Sequence, residues 1–545
     1  MASAQQPLTE SDKFKLFWAS FLALAAAGVG FVFRVMIPDM WASTFQITGQ
    51  DVGNLTGAAL WPIAVTMILF SLLVDKIGYK VSMFFAFALQ AASVVLTIQA
   101  TSVNSLWWAC ICAGLGHGVV EAVINPLCAS IYRDRKSEML NILHASWPAG
   151  IVLGGVLYLL MIDPSAAVTP ESWGGVKWVF WIQLLPVIAY GAMFLMCTRF
   201  PVDERVEANV SNRDMLKEFG GLGAFVASTF LLYELFGQIG ATADFFGDNR
   251  LYWCLGIGAV VGAVVGAAVG SKGKILFFVL CLIMIPLATA ELATDAWIQT
   301  LMKPILGGKY ASWAIILSAG IMMVLRFFAG IPLKVMSPPA LLLLSSVFSI
   351  LGLYAMSSVS GSLIFGAFVL YAIGQTFYWP TVLGFVSEQF PKGGAMTLNT
   401  VSAMGLLTVG IFGFPFLGAV QDHYKTQAVI EQEPAMFADV KDNEKTFTDN
   451  TDAANPVEKK IYEAKNFFGV GYESVNDGEF KKLLAEDRQE NLEDQLAATS
   501  QSSLKVAAVL PLIMAIAFIL IILYYKSIGG YKPVVLADGE GGGGH

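Results

Sequence analysis

Apolar residues in this chain fall in blocks of about 20, each closed by a polar turn, and that length constrains the fold more than any other feature. At 1.5 Å per residue such a block covers the roughly 30 Å of a bilayer's hydrocarbon. Lipid offers no partner to backbone N–H and C=O groups, so a crossing segment must be a helix or part of a closed barrel. A barrel needs short alternating segments, and the run from Val260 to Gly270 does not alternate. The composition agrees: 56% of residues are hydrophobic and 14% charged, against about 25% charged in soluble domains. An all-α membrane protein is expected.

Hydropathy predicts fourteen spans, at 16–36, 52–74, 81–101, 106–132, 138–162, 176–198, 220–240, 250–270, 274–302, 310–331, 338–357, 361–387, 395–420 and 504–526. Lys and Arg in short loops stay on the cytoplasmic side. With the N-terminus inside, seventeen basic residues fall on inner segments and only Lys177, Arg250, Lys303 and Lys309 on short outer loops. Both termini are therefore expected in the cytoplasm, and the cell (inner) membrane is the expected location. The segment 421–503 lies outside and carries 18 acidic and 9 basic residues, which accounts for the net charge of −8. Within it, Val457 to Phe468 and Phe480 to Ala498 have helix-like spacing, so either a small folded cap or a solvated insertion is expected. All six cysteines sit in apolar blocks, and no disulfide framework or metal spacing is evident.

A duplication is visible. Asn125-Pro126 followed by Leu140-Asn141 has its counterpart in Trp379-Pro380 followed by Leu398-Asn399. Two six-helix halves, a known plan for carriers, fit this repeat. The expected organisation is a cytoplasmic N-terminus (1–15), a first half (16–198), a cytoplasmic loop (199–219), two inserted helices (220–270), a second half (274–526) holding the acidic loop, and a tail (527–545).

The stretch Ser71-Leu72-Leu73-Val74-Asp75-Lys76-Ile77-Gly78-Tyr79-Lys80 resembles the GxxxD(R/K)xGR(R/K) signature of the major facilitator superfamily, with Ser71 and Tyr79 as departures. The resemblance implies the major-facilitator fold and a gating role for Asp75, Lys76, Gly78 and Lys80. Arg133 in the next inner loop, and Arg326 near Gly330 in the second half, are expected to share in that cytoplasmic clasp. A narrower likeness follows from Gly114-Leu115-Gly116-His117-Gly118, Glu121, Asn125-Pro126 and Leu140-Asn141. These are similar to the fucose–galactose–gluconate proton symporters, whose fourth span carries a glutamate just ahead of an Asn-Pro. That likeness implies proton coupling through Glu121. The family also uses a carboxylate in the first span, where this chain has Arg34, with Asp39 only beyond the outer end.

Read from the residues themselves, Glu121 lies mid-span, where a carboxylate is costly unless paired, protonated or wetted. His117 and Asn125, four positions to either side, share its helix face. The alternative is a structural hydrogen-bond cluster. Asn141, His144 and Trp147 recur at intervals of three beside Pro148, and Trp147 is suited either to stacking on a sugar ring or to packing. Glu291, Asp295 and Gln299 form a stripe at i, i+4 and i+8, either a cavity lining or a proton path. Arg34 can snorkel outward, pair with Glu121 or bind an anionic solute. Gln375, Tyr378 and Trp379 are expected on one face opposite Glu121 and suit a hydroxylated ligand.

The resulting expectation is a monomeric secondary carrier, with lipid, a small polar solute such as a sugar, and protons as partners. An organic-anion or drug carrier is the alternative within the superfamily, and a non-transporting sensor or scaffold the alternative outside it. No enzyme activity, cofactor, ATP or nucleic-acid site is expected, since no GxxxxGK(S/T), HExxH or nucleophile–base set is present.

Overall fold

The computed structural model describes residues 8–47, 49–163, 168–239, 242, 245–295, 308–359, 363–432, 444–449, 457–467, 470–475 and 501–536. Among them fourteen helices are long and apolar enough to cross a membrane: Glu10–Met36, Asn54–Val74, Tyr79–Gln99, Val103–Ile131, Arg133–Met161, Ser172–Met196, Asn212–Gln238, Arg250–Val269, Ile275–Ala293, Trp313–Leu333, Pro338–Met356, Leu363–Gln389, Pro391–Glu431 and Gln501–Ser527. They are numbered here as spans one to fourteen. "Inner" denotes the side on which span one begins. Large apolar side chains such as Leu160, Leu185, Val260 and Leu520 point outward over most of their surface, as lipid contact requires.

Local chemistry sets the ends of these helices. Span one opens on a capping box in which Thr9 and Asp12 satisfy each other's backbone N–H, and span four opens likewise on Ser102 and Ser105. Between spans two and three Gly78 takes φ +80°, a left-handed conformation that costs other residues more. Span four then lies directly on span two: a Cβ at Gly118 would stand 2.6 Å from the Ile63 carbonyl oxygen. In the first half span one packs against spans five and six, and span four against spans two and three. In the second half span eleven packs against twelve and fourteen, and span nine against thirteen. Spans seven and eight pack chiefly on each other, with span seven also touching spans nine and thirteen.

The outer segment departs from expectation. Val457–Phe467 is a β-strand (β2), flanked by β1 (Glu444–Asp449) and β3 (Val470–Val475) in an antiparallel sheet of order β1-β2-β3. Val457 and Ile461 are four apart, a spacing that fits a helix face and also an alternating strand, because four is twice two. Pairing of Lys459 with Phe447 and of Phe467 with Val470 settles the strand. The sheet stands on the outer extension of span thirteen, where Ser474 Oγ donates to Asp422 (3.0 Å) and the Val475 N–H donates to Thr426 Oγ1 (3.0 Å). Phe480 to Ala498 lies outside the described residues.

Candidate functional site

Prolines decide where the helices of the two halves open. A proline removes its own N–H and pushes away the carbonyl four residues before it. Pro126 thus frees the Ala122 carbonyl, Pro148 that of His144, and Pro380 that of Thr376. Span five breaks into Lys136–His144 and Ser146–Met161, and span twelve into Leu363–Gln375 and Tyr378–Gln389. Each freed carbonyl is taken by a side chain from elsewhere. Asn399 Nδ2, in the second half, donates to the Ala122 oxygen in the first (3.1 Å). Arg326 takes the other two, Nη1 donating to the His144 oxygen (3.0 Å) and Nε to the Thr376 oxygen (2.7 Å).

Arg326 is 2% exposed, and its third edge, Nη2, meets Glu291 Oε1 at 2.6 Å. The other oxygen of Glu291 accepts the Trp379 N–H (3.0 Å), a group left over where span twelve breaks. One guanidinium therefore joins spans five, nine, ten and twelve across the boundary between halves. Arg326 was expected at the inner surface; the structure puts it in the central cleft, because the three acceptors of its fork lie there.

On the first-half side, Asn125 Nδ2 donates to Glu121 Oε2 (2.7 Å), and Asn125 Oδ1 pairs with His144 Nε2 (2.9 Å). His117 Nε2 stands 3.7 Å from Glu121 Oε1, and the His117 ring stacks on Trp147 (centroids 5.0 Å, 18°). A chain of polar contacts thus runs from Glu121 through Asn125 to the His144 ring, and from the His144 main-chain carbonyl to Arg326 and Glu291. The cleft is lined by His117, Glu121, His144, Trp147, Glu291, Arg326 and Trp379, with apolar walls from Phe31, Leu60 and Phe414 among others.

A second chamber adjoins the first through Phe31, Leu60, Ile63, His117 and Trp147, and is lined in addition by Arg34, Gln90 and Gln183. Arg34 does not pair with Glu121. Its Nη1 donates to the Gly30 oxygen (2.8 Å), its Nη2 to Ser93 Oγ (3.0 Å), and its guanidinium lies 5.4 Å from the Phe180 ring centroid.

The remaining expected residues divide. The Glu291–Asp295–Gln299 stripe is broken by a π-helical turn at Thr289–Ala293, which rotates Glu291 towards Arg326. Asp295 instead accepts from Ser318 Oγ (2.9 Å) and Gln375 Nε2 (2.9 Å), and Gln299 lies outside the described residues. The break in span twelve separates Gln375 from Tyr378 and Trp379, and these two, consecutive in the helix that follows, point apart: Trp379 lines the cleft, whereas Tyr378 OH points to the Ser345 oxygen (3.5 Å). Asn141 lies below the cleft, donating to Thr381 Oγ1 of the second half (3.1 Å).

That last contact belongs to a closure of the inner side which the motif did not indicate. The Ser137 N–H and hydroxyl both donate to Glu388, Lys136 Nζ reaches the Ser387 oxygen (3.3 Å) and Glu204 (2.5 Å), and Ser71 meets Met396 Sδ (3.2 Å). The segment after span fourteen covers it: Tyr531 OH donates to Glu388 Oε2 (2.6 Å), and the Val534 N–H to the Glu388 oxygen (2.8 Å). Burial, then the Glu388 charge, push the Tyr531 phenol above its ordinary range, so it stays a donor. Of the expected gate residues, Lys80 caps the Leu195 and Cys197 carbonyls and Arg133 pairs with Glu207 (2.5 Å), both without crossing between halves. Lys76 and Gly78 are exposed, and the Asp75 side chain is outside the described set. Ser137 and Glu388 are separated by 251 positions, and no local pattern marks them.

Known proteins resemble this arrangement. The family model for the Major Facilitator Superfamily matches residues 17–415. A curated relative, the Protein TsgA homolog of Enterobacter sp. (strain 638), is 23% identical over 235 residues, covering 43% of this chain and 57% of the relative. The chain thus spans a little over half the length of such relatives. Among solved structures, the proton:xylose symporter XylE bound to 6-bromo-6-deoxy-D-glucose superposes with a TM-score of 0.55 at 13% identity, over 78% of this chain and 91% of that one. A structure of the E. coli fucose:proton symporter FucP gives 0.52 at 13%, over 92% and 97%. The human organic anion transporter MFSD10 gives 0.55 at 11%, over 94% and 100%. At these identities the likeness is one of fold. With a family match over most of its length and, among the described residues, fourteen helices long and apolar enough to cross a membrane, the chain belongs to the major facilitator superfamily.

Proposed function

We propose that this transporter is a proton-coupled carrier of a small hydroxylated solute, working by alternating access between its two halves. The observation that supports this reading is the polar chain from Glu121 to Glu291, since it links a buried carboxylate in each half through one arginine. Glu121 is 6% exposed and faces the cleft, so taking up a proton there removes a charge that its neighbours must otherwise stabilise. Asn125 donates to the Glu121 carboxyl group and also pairs with His144, whose carbonyl anchors Arg326. Protonation at Glu121 is thereby transmitted to the contact between halves, a bistable element that an alternating-access cycle needs. Trp147, Trp379 and the His117 ring offer flat walls and polar edges suited to a sugar or similar ring. The symporters XylE and FucP share the fold and by their names move such solutes with protons.

On this reading the side closed by Ser137 and Glu388 is the cytoplasm, consistent with the basic residues clustered there. The test is uptake in cells or proteoliposomes, once a solute that raises the melting temperature has been found. Glu121→Gln is expected to abolish accumulation driven by a pH gradient while keeping exchange of solute for solute. Full proton-driven accumulation by that variant would refute the reading.

A further inference from the structure

Arg34 and Arg326 are both buried within membrane spans, and their surroundings differ. Arg326 has a carboxylate at 2.6 Å and all three edges of its fork engaged. Arg34 is 4% exposed and has no carboxylate within ion-pair distance among the described residues. Its hydrogen bonds, to the Gly30 oxygen, Ser93 Oγ and the Cys110 sulfur, are all to uncharged groups, and Nε has no partner among the described residues. Beside it lie the Phe180 ring and the Cys110 thiol, neither of which brings a full negative charge. An uncompensated cation inside a membrane protein costs several kcal/mol, and such groups are kept where a counter-charge or water path meets them.

The same chamber holds two further groups without partners among the described residues. Gln90, 2% exposed, has a free Nε2, and Gln183, 3% exposed, has a free Oε1. A guanidinium edge and an amide N–H present donors to an anion, while an amide oxygen accepts from a hydroxyl. The chamber opens into the central cleft between Phe31, Leu60 and the stacked His117–Trp147 pair, so one ligand can occupy both.

From this geometry we propose that Arg34 and Gln90 seat a carboxylate of the transported solute and Gln183 receives an adjacent hydroxyl, so that the solute is a hydroxylated monocarboxylic acid. This rests on the hydroxylated-solute reading above and adds the charge. The single charge of Arg34 matches a monoanion; a phosphate ester, near −2 at neutral pH, would leave a negative charge without a partner. Arginine suits the role because its planar fork meets two carboxylate oxygens at once, which lysine does not.

The test is melting of the purified full-length chain with matched probes: glucose against glucuronate, galactose against galacturonate, with glucose 6-phosphate and butyrate as controls. At least one uronate is expected to raise the melting temperature where its hexose does not. Arg34→Gln should weaken that uronate about tenfold to a hundredfold, the worth of hydrogen bonds to a charged group, and Arg34→Lys should lose less. If Arg34→Gln does not fold, Arg34→Lys and the wild-type pairs decide. Stabilisation by hexoses alone keeps the hydroxylated-solute reading and overturns the carboxylate seat. Stabilisation by butyrate equal to that by uronates, lost in Arg34→Gln, keeps the seat and overturns the hydroxylated-solute reading. A preference for glucose 6-phosphate, no response to any acid, or an unchanged acid preference in Arg34→Gln overturns the proposal.

Discussion

Replacing Arg326 with Gln should damage this protein more than replacing any other buried polar residue, and the size can be worked from its partners. The change leaves Glu291 buried without its 2.6 Å counter-charge, and leaves the His144 and Thr376 carbonyls, freed by Pro148 and Pro380, without donors. Stripping a buried carboxylate of its partner costs about 3–5 kcal/mol. Each orphaned carbonyl adds about 1–3 kcal/mol in water-soluble proteins, but polar contacts between membrane helices average only about 0.6 kcal/mol. The ion pair therefore dominates, and Arg326→Gln is expected to cost about 4–6 kcal/mol in equilibrium unfolding from mixed micelles. Glu291→Gln strands the buried guanidinium in the same way, although it keeps two of its three acceptors, and should cost about 3–5 kcal/mol. The double variant removes the stranded charge, so its cost should fall short of the sum of the two by at least about 2 kcal/mol. Effects that add to within about 0.5 kcal/mol would refute the idea that the two act as one unit.

Other expectations follow from the same contacts. Pro380→Ala restores an N–H to span twelve and lets the Thr376 carbonyl return to its helix; turnover should fall while stability changes by less than about 1 kcal/mol, read by uptake and unfolding together. Glu388→Ala removes the acceptor of Ser137 and Tyr531 and should open the inner side, lengthening the distance between spin labels placed at Lys76 and Lys334. Tyr531→Phe deletes one hydrogen bond worth about 1 kcal/mol and should raise the exchange rate of the Val534 amide, with no change at Gly78. Gly118→Val places a side chain against the Ile63 carbonyl, where a Cβ alone stands at 2.6 Å, and should cost about 1–3 kcal/mol by overpacking.

The fourteen spans were legible because each apolar block declares its own length, and the His117–Glu121–Asn125 face was legible because residues four apart must share a helix side. What the sequence hid is longer in range. Arg326 lies fourteen residues into the Trp313–Leu333 span, and by position alone it reads as an inner-surface cation. Its true place depends on carbonyls freed by prolines in two other spans. Glu291 and Asp295 read as one stripe, and a single π turn sends them to different partners. The apolar spacing of four at Val457 and Ile461 is close to one helical turn and is also twice the strand period, so it does not by itself tell a helix from the strand Val457–Phe467. Ser137 and Glu388 carry no pattern at all, being ordinary polar residues until the two halves meet.

Proton movement itself is the most direct test of the role given to Glu121. In proteoliposomes with a pH-sensitive dye trapped inside, external addition of a transported solute should acidify the lumen with the wild-type protein. With Glu121→Gln the same addition should give solute exchange but no acidification. Lumenal acidification of equal size by the Glu121→Gln variant would contradict the account.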